Sequence, residues 1–244
     1  MVIDLLAISS PVEFYSKFTD ASGSLLHIGA HEGEEQNAYS KMGFVEILWV
    51  EAQPDKFAKL VSKIDPRFCL QAAVWSERSR LLLNISNNSV SSSLLEFNAI
   101  TPWKGVITSK RIELETLTLH DVVDEFTRRQ LLPQKFFLVL DIQGAEFEVL
   151  RGLRSVSKNI YAISCEVSVK QTYKNGPRRR QIIWLLLRNR YIPLCSFLTK
   201  DYGHGDQLFV KLGIIRNPKL ILMSILRTSL LIMIRIRKNF QGVL

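Results

Sequence analysis

Two apolar runs, one ending at a glycine turn and the next at a carboxylate, restrict this chain more than any other feature. The first is Leu25-Leu26-His27-Ile28-Gly29-Ala30-His31-Glu32-Gly33; the second is Ile47-Leu48-Trp49-Val50-Glu51-Ala52. The segment between them, His31 to Gly43, reads as a helix with Gly43 near its stop. Strand, turn, helix and strand form the unit from which α/β proteins build a nucleoside pocket. The glycines let the backbone approach the ligand, and the acid can accept both ribose hydroxyls. Gly29 and Glu51 lie at the roughly 20-residue separation expected of such a unit. The turn reads G-x-x-x-G rather than G-x-G-x-x-G, which argues against a pyrophosphate dinucleotide.

The same alternation continues along the chain. Pro54 fits the first position of a helix over Asp55 to Ile64, with Phe57, Leu60, Val61 and Ile64 on one face. Phe68 to Trp75, Arg80 to Ile85 and Ile112 to Leu117 read as strands, and Asn87 to Ser93 as a polar loop. Thr118 caps a helix that runs to Leu132. Phe136 to Ile142 is a strongly apolar strand that breaks at Asp141-Ile142-Gln143-Gly144. Helices over Ala145 to Leu153 and Gly176 to Asn189 alternate with strands over Tyr161 to Val167, Tyr191 to Phe197 and Asp206 to Leu212. This order predicts an α/β fold, a mostly parallel sheet with helices on both faces. We expect a leader over residues 1–24 carrying one helical patch (Val12, Tyr15, Phe18), a domain over 25–213 and a tail over 214–244.

A chain of 244 residues that is 47% hydrophobic supports one sizeable core. Cys69, Cys165 and Cys195 are odd in number and widely spaced, which suits buried thiols in a reducing cytosol and offers neither a disulfide framework nor a zinc site. The histidines lack paired ligand spacing, so no metal is expected. Met1 to Ser10 carries Asp4 and no basic run, unlike a secretory signal. The net charge of +9 is uneven. No acid follows Asp206, whereas Lys211, Arg216, Lys219, Arg227, Arg235, Arg237 and Lys238 do, and Arg178-Arg179-Arg180 forms a second basic cluster. Such asymmetry suits an anionic surface. Nothing in the sequence has the form of a nucleic-acid module, so nucleic acid is not an expected partner.

In open α/β sheets, ligands sit beyond the carboxyl ends of the strands. Polar residues end several of the expected strands: the His31/Gly33 turn, Glu51, Gln71-Ala72-Ala73, Asp141 with Gln143, and Glu166. With Ser91-Ser92-Ser93-Leu94-Leu95, Leu140-Asp141-Ile142-Gln143-Gly144-Ala145-Glu146, Val149-Leu150-Arg151-Gly152 and Gly205-Asp206-Gln207-Leu208-Phe209-Val210, this series resembles the FkbM-type methyltransferases over roughly Leu25 to Leu212. D-x-Q-G-A-E is its most specific part.

The resemblance implies a Rossmann-like class I methyltransferase sheet and S-adenosylmethionine as cofactor, with methyl transfer to a hydroxyl of a sugar, glycan or glycolipid-like acceptor. It implies that Gly29, Ala30, His31 and Gly33 approach the cofactor, Glu51 holds the ribose, Gln71 and Ala73 border the adenine, and Asp141 and Gln143 face the reacting centre. Asp141, His204 and Glu166 are the candidate catalytic residues, with Asp141 first by position. Ser91 to Ser93 are expected to form a lid, and Glu146 serves either the site or its own helix start. His27 departs from the pattern, since most such enzymes carry an acid there.

Lys219 to Lys238 is too basic for a transmembrane helix. On a helical projection Ile221, Leu222, Ile225, Leu226, Ile232, Met233 and Ile236 share a face, away from Arg227, Arg235, Arg237 and Lys238. Such a basic amphipathic helix either lies in a membrane interface or packs on the core or on a second protomer, as in a homodimer. The expected location is cytoplasmic, peripheral at the inner face of a membrane. Two other readings are a catalytically silent methyltransferase-like binding module and a nicotinamide-dependent oxidoreductase; the chain lacks the Tyr-x-x-x-Lys pair of the latter.

Overall fold

A computed structural model describes residues 5–19, 23–88, 90–98, 105–132, 135–199, 203–213 and 218–241, with side chains to 231. In chain order the elements are α1 (Pro11–Phe18), β1 (Ser24–Ile28), α2 (Gln36–Lys41), β2 (Glu46–Glu51), α3 (Pro54–Lys63), β3 (Cys69–Gln71), β4 (Ala73–Trp75), β5 (Arg80–Ser86) and β6 (Thr108–Thr118). There follow α4 (Leu119–Arg128), β7 (Phe136–Leu140), α5 (Glu146–Arg151), β8 (Ile160–Ser168), α6 (Arg179–Arg188), β9 (Tyr191–Leu198), β10 (His204–Lys211) and α7 (Pro218–Gln241).

Seven strands form one sheet in the order β3-β2-β1-β7-β8-β10-β9. The first five run parallel, and β10 is antiparallel to both β8 and β9. The strand order reverses between β1 and β7, so their carboxyl ends open a crevice at the switch point. A second sheet, β4-β6-β5, stands beside it.

β1 and β7 are buried along their whole length because both faces of the sheet are covered. Leu26 and Ile28 join one core with Leu138, Leu140, Phe126 of α4, Leu150 of α5 and Leu186 of α6. Leu25 faces the other core, with Phe14 of α1, Tyr39 of α2, Leu60 of α3 and Leu220 of α7. The alternation of single residues between the two cores is the period-2 geometry of a strand.

The mostly parallel sheet expected from the sequence is present, with local differences. The expected strand over Phe68 to Trp75 is two strands: Ala72 separates β3 from β4, which pairs into the second sheet. Only Gln36–Lys41 of the expected His31 to Gly43 helix is helical, because His31 and Gly33 have positive φ (47° and 74°) and spend the first residues on a turn. Helix α1 is packed into the core through Val12, Phe14, Tyr15 and Phe18. Asp4, Ser89 and Arg216 lie outside the described residues.

The tail helix differs most. The face expected to be a unit, Ile221, Leu222, Ile225 and Leu226, is exposed, whereas Leu220, Ser224 and Arg227 are buried. Arg227 is only 6% exposed. Its guanidinium lies 3.8 Å from the centre of the Phe197 ring and donates to the backbone carbonyls of Leu5, Ile8 and Ser196. Saturating a guanidinium with carbonyls and an aromatic face makes its burial tolerable. The side chains of Ile232, Met233, Arg235, Ile236, Arg237 and Lys238 lie outside the described ones.

Candidate functional site: a carboxylate-lined crevice

The turn after β1 is held against both neighbouring strands. Gly29 and Ala30 N–H donate to the Val50 carbonyl, and Asp141 N–H donates to the Ile28 carbonyl. Gly29 has φ of 93°, and a Cβ there would fall 1.8 Å from the Asp141 carbonyl oxygen. Glycine is therefore required where β1 passes β7. Gly33 serves a different purpose: a Cβ there would meet Leu60 and Ile64 at 2.8 Å, so its absence lets the turn seat on α3.

The crevice measures about 270 Å³, close to the lower end of small-molecule sites, roughly 300 Å³. Gly29, Ala30, His31, Glu51, Ala73, Asp141 and Gln143 all line it. Gln71 and Gly33 do not; Ala72, the link between the sheets, stands where Gln71 was expected. Ser92 and Ser93 reach its wall, and Ser93 Oγ donates to the Gln143 carbonyl at 2.7 Å.

Glu51 sits at the end of β2 with each carboxylate oxygen held by one backbone N–H, Oε2 by His31 (2.7 Å) and Oε1 by Gln53 (2.6 Å). Burial raises its carboxyl above the usual range, and these two bonds oppose the rise. An ionised carboxylate has about four acceptor positions, so both oxygens retain one for a hydroxyl.

Asp141 is accessible through the crevice yet enclosed by its walls. That desolvation raises its carboxyl above the usual aspartate value; the bond from Gln143 Nε2 (2.7 Å) and the nearby His204 and His31 act the other way. Gln143 has φ of 55° and takes a bond from Tyr173 Oη at 2.9 Å. Below them Glu146 Oε1 accepts from the N–H groups of Ile142 and Gly144 and closes the turn. Burial pushes Glu146 up to about 7. Of its two expected roles, the contacts show it tying the turn.

His27 lines the floor of the crevice and packs against the rings of Tyr39 and Trp49, 4% exposed, with its Nε2 unpartnered. Burial lowers it to about 4, so it is neutral at physiological pH. Among the described residues the crevice carries the carboxylates of Glu34, Glu35, Glu51 and Asp141 and no lysine or arginine. Glu34, Glu35 and Tyr173 were not legible as site residues. Glu35 is placed by the late start of α2, which it precedes, and Tyr173 by a contact to Gln143 across 30 positions of chain.

Glu166 and His204 line an adjoining pocket with Glu146, Ser168, Thr172 and Tyr173, not the crevice itself. Glu166 is cross-strand from Asp206. Burial, with Asp141, Glu146 and Asp206 around it, raises the Glu166 carboxyl well above its ordinary value. His204 is held below the usual imidazole value by burial, with Asp141 opposing, and is neutral at pH 7. Asp206 is pushed up to about 7 by burial and by Asp141 and Glu35. Among the described residues no group of His, Cys, Asp and Glu has a metal-binding arrangement.

A family profile described as the methyltransferase FkbM domain matches residues 27–193, more than half of the chain. The chain belongs to the FkbM methyltransferase family. The match begins at β1 and includes the Gly29 turn, Glu51 and the Asp141 turn, which the crevice brings together. No curated protein matches this FkbM chain. Among solved structures it is similar to a TehB-like SAM-dependent methyltransferase from Corynebacterium glutamicum, at 9% identity over 84% of this chain and 89% of that one, TM-score 0.44. It is also similar to the Burkholderia thailandensis 1,6-didemethyltoxoflavin-N1-methyltransferase, whose structure holds S-adenosylhomocysteine: 10% identity, 85% and 81% coverage, TM-score 0.44. A third is the magnesium protoporphyrin IX methyltransferase of Synechocystis PCC 6803 with bound SAM, at 9% identity, 77% and 69% coverage and TM-score 0.40.

Proposed function

We propose that this chain is an S-adenosylmethionine-dependent methyltransferase acting on a hydroxyl of a carbohydrate or glycolipid-like acceptor. The observation that carries the reading is the charge of the crevice: among the described residues it is lined by four carboxylates and no lysine or arginine. Such a lining suits a ligand with ammonium and sulfonium cations and repels the pyrophosphate of a nicotinamide dinucleotide. Gly29 gives close backbone approach, Glu51 receives the ribose hydroxyls through its remaining acceptor positions, and Ala72 and Ala73 border the base. Glu35 supplies the carboxylate that His27, being neutral, does not. The adjoining pocket offers Glu166, Ser168, Thr172 and His204 to a polyhydroxyl acceptor.

When bound, S-adenosylmethionine supplies a methyl group on positively charged sulfur: the acceptor oxygen bonds to the methyl carbon, the S–C pair stays on sulfur, and the hydroxyl proton passes to a base. Asp141 is that base, its raised affinity for a proton matching the task. Gln143, itself held by Tyr173, fixes the Asp141 carboxylate. His204 is neutral and takes the proton onward to solvent. Glu166, which lines the adjoining pocket, orients the acceptor by hydrogen bonding.

The cytoplasmic face of a membrane fits the tail. No helix among the described residues is long and apolar enough to cross a bilayer. Yet α7 exposes Leu222 (52%) and Ile225 (58%) with Ile221, Leu226 and Leu231, and Leu6 is exposed beside them in sequence to the Leu5 that binds Arg227. The absence of any acid after Asp206 makes anionic lipid the complementary surface.

Calorimetric titration with S-adenosylhomocysteine tests the central reading. Binding that weakens roughly 10- to 100-fold in Glu51→Ala is expected, the value of one or two hydrogen bonds to a charged group. Preference for a dinucleotide, or no nucleoside binding at all, would overturn it in favour of an oxidoreductase or a silent binding module.

A further inference from the structure

Beyond the crevice and its adjoining pocket, a third concavity of about 310 Å³ is lined by Val169, Arg178, Arg179, Arg180 and Ile183. Its position is fixed by the elements already described. Val169 follows β8, and its N–H donates to the Gly203 carbonyl at 3.0 Å. Gly203 precedes His204, whose imidazole faces Asp141 closely enough to perturb it. Pro177 and Ile182 of the His204 pocket flank the three arginines in sequence. The His204 pocket and the arginine concavity are thus joined through the Val169–Gly203 bond and through Pro177, which precedes Arg178 in the chain.

The three arginines have no acidic partner among the described residues. Many other basic side chains are matched: Lys56, Lys59 and Lys63 converge on Glu32, Arg78 on Asp121, and Arg129 on Glu125. Arg178, Arg179 and Arg180 make no ion pair among the described residues. They also occupy the first turn of α6, where the helix dipole disfavours positive charge. Arg179 is half-buried, and its Nε donates to Gln207 Oε1 at 2.8 Å. Gln207 is itself buried, so this guanidinium is held in place with its terminal amino groups uncommitted to protein. Three guanidinium groups on an open concavity, one of them pre-positioned, match the fork geometry of an oxyanion.

We infer that the acceptor is anionic: a phosphate or carboxylate on the sugar is received by Arg178, Arg179 and Arg180 while its hydroxyl lies at Asp141. The inference rests on the methyltransferase reading and deepens it. The cofactor side of the site is built for a cation, the acceptor side for an anion, so each ligand is repelled from the other's place.

The test uses the full chain at low salt. S-Adenosylhomocysteine is titrated first. Mannose 6-phosphate, glucuronate and mannose are then titrated into the loaded protein and into Arg178→Ala/Arg180→Ala, both of whose altered side chains are exposed; unchanged thermal melting confirms that the variant folds. We expect at least one anionic sugar to bind tenfold or more tighter than mannose, with that preference lost in the double variant. The two anionic probes separate phosphate from carboxylate. Normal S-adenosylhomocysteine binding with equal affinity for all three sugars, or with a preference the variant retains, overturns the inference and leaves the methyltransferase reading standing. Failure of S-adenosylhomocysteine to bind removes that reading and this one with it. A single-stranded RNA 20-mer that binds more tightly than either anionic sugar, and loses that binding in the variant, assigns the arginines to nucleic acid instead.

Discussion

Two concavities on the two halves of the seven-stranded sheet are lined by opposite charge. Beyond β1, β2 and β7 the chain places Glu34, Glu35, Glu51 and Asp141 around one crevice; beyond β8 it places Arg178, Arg179 and Arg180 around another. The halves are also built differently. The first is parallel and buried on both faces, so its side chains are set by strand geometry and by backbone hydrogen bonds such as those on Glu51. The second is antiparallel at β10 and flanked by loops and α7. On the proposed reading, a rigid carboxylate half holds the constant cofactor and a loop-built half takes the variable acceptor, the division by which a fold keeps one chemistry while changing acceptors.

The sharpest way to break this comparison is Asp141→Asn. It keeps the shape and removes the base, so kcat is expected to fall about 10²- to 10⁴-fold. S-Adenosylhomocysteine affinity should change by no more than about threefold, because the loss is confined to the reacting centre. An unchanged kcat would assign proton removal to His204 or water. Next comes Gly29→Ala. With φ of 93° and a Cβ 1.8 Å from the Asp141 carbonyl, β1 and β7 must part. Backbone strain of roughly 1–3 kcal/mol predicts a Tm lower by about 5 °C. The displaced turn predicts at least about a tenfold loss of S-adenosylhomocysteine affinity. A smaller change on the loop-built half is expected for Ile225→Glu. Binding to anionic vesicles should weaken by about tenfold or more, the cost of one exposed anchor made charged, with methyl transfer to a soluble acceptor intact.

The smallest effect concerns Asp206, which lies between the halves. Its folded carboxyl is raised to about 7 from an ordinary value of 3.8, so the fold favours its protonated form. That stabilisation is fully present below pH 4 and is lost as the pH rises through 7. Asp206→Asn, neutral at every pH, should therefore melt a few degrees above the wild type at pH 8. At pH 4 the difference should vanish. Equal melting at both pH values would show that burial, Asp141 and Glu35 together do not raise Asp206.

The parallel half was readable from sequence because its apolar runs are short, uninterrupted and ended by glycine or acid. Gly29, Ala30, His31, Glu51, Ala73, Asp141 and Gln143 come together for that reason. Gln71 was misplaced because one residue, Ala72, moves the chain from one sheet to another, and no periodicity marks such a step. Gly33 carried the right glycine signature, but its contact with Leu60 and Ile64 is a packing matter that spacing does not reveal. In α7 apolar residues surround the helix, so its projection offered an apolar face without indicating that Leu220, Ser224 and Arg227 would turn inward. Only the carbonyls of Leu5, Ile8 and Ser196 decide that, and they come from the other end of the sequence and from β9.

That guanidinium makes the closing helix inseparable from the opening one. Cutting the polypeptide before Pro218 would strand three dry carbonyl groups and uncover the Phe197 ring, leaving the segment ahead of Pro11 without its clasp. A truncated protein that no longer sediments with vesicles would thus confound loss of an anchor with loosening of the enzyme, and point substitutions on the outward side of α7 are the cleaner instrument.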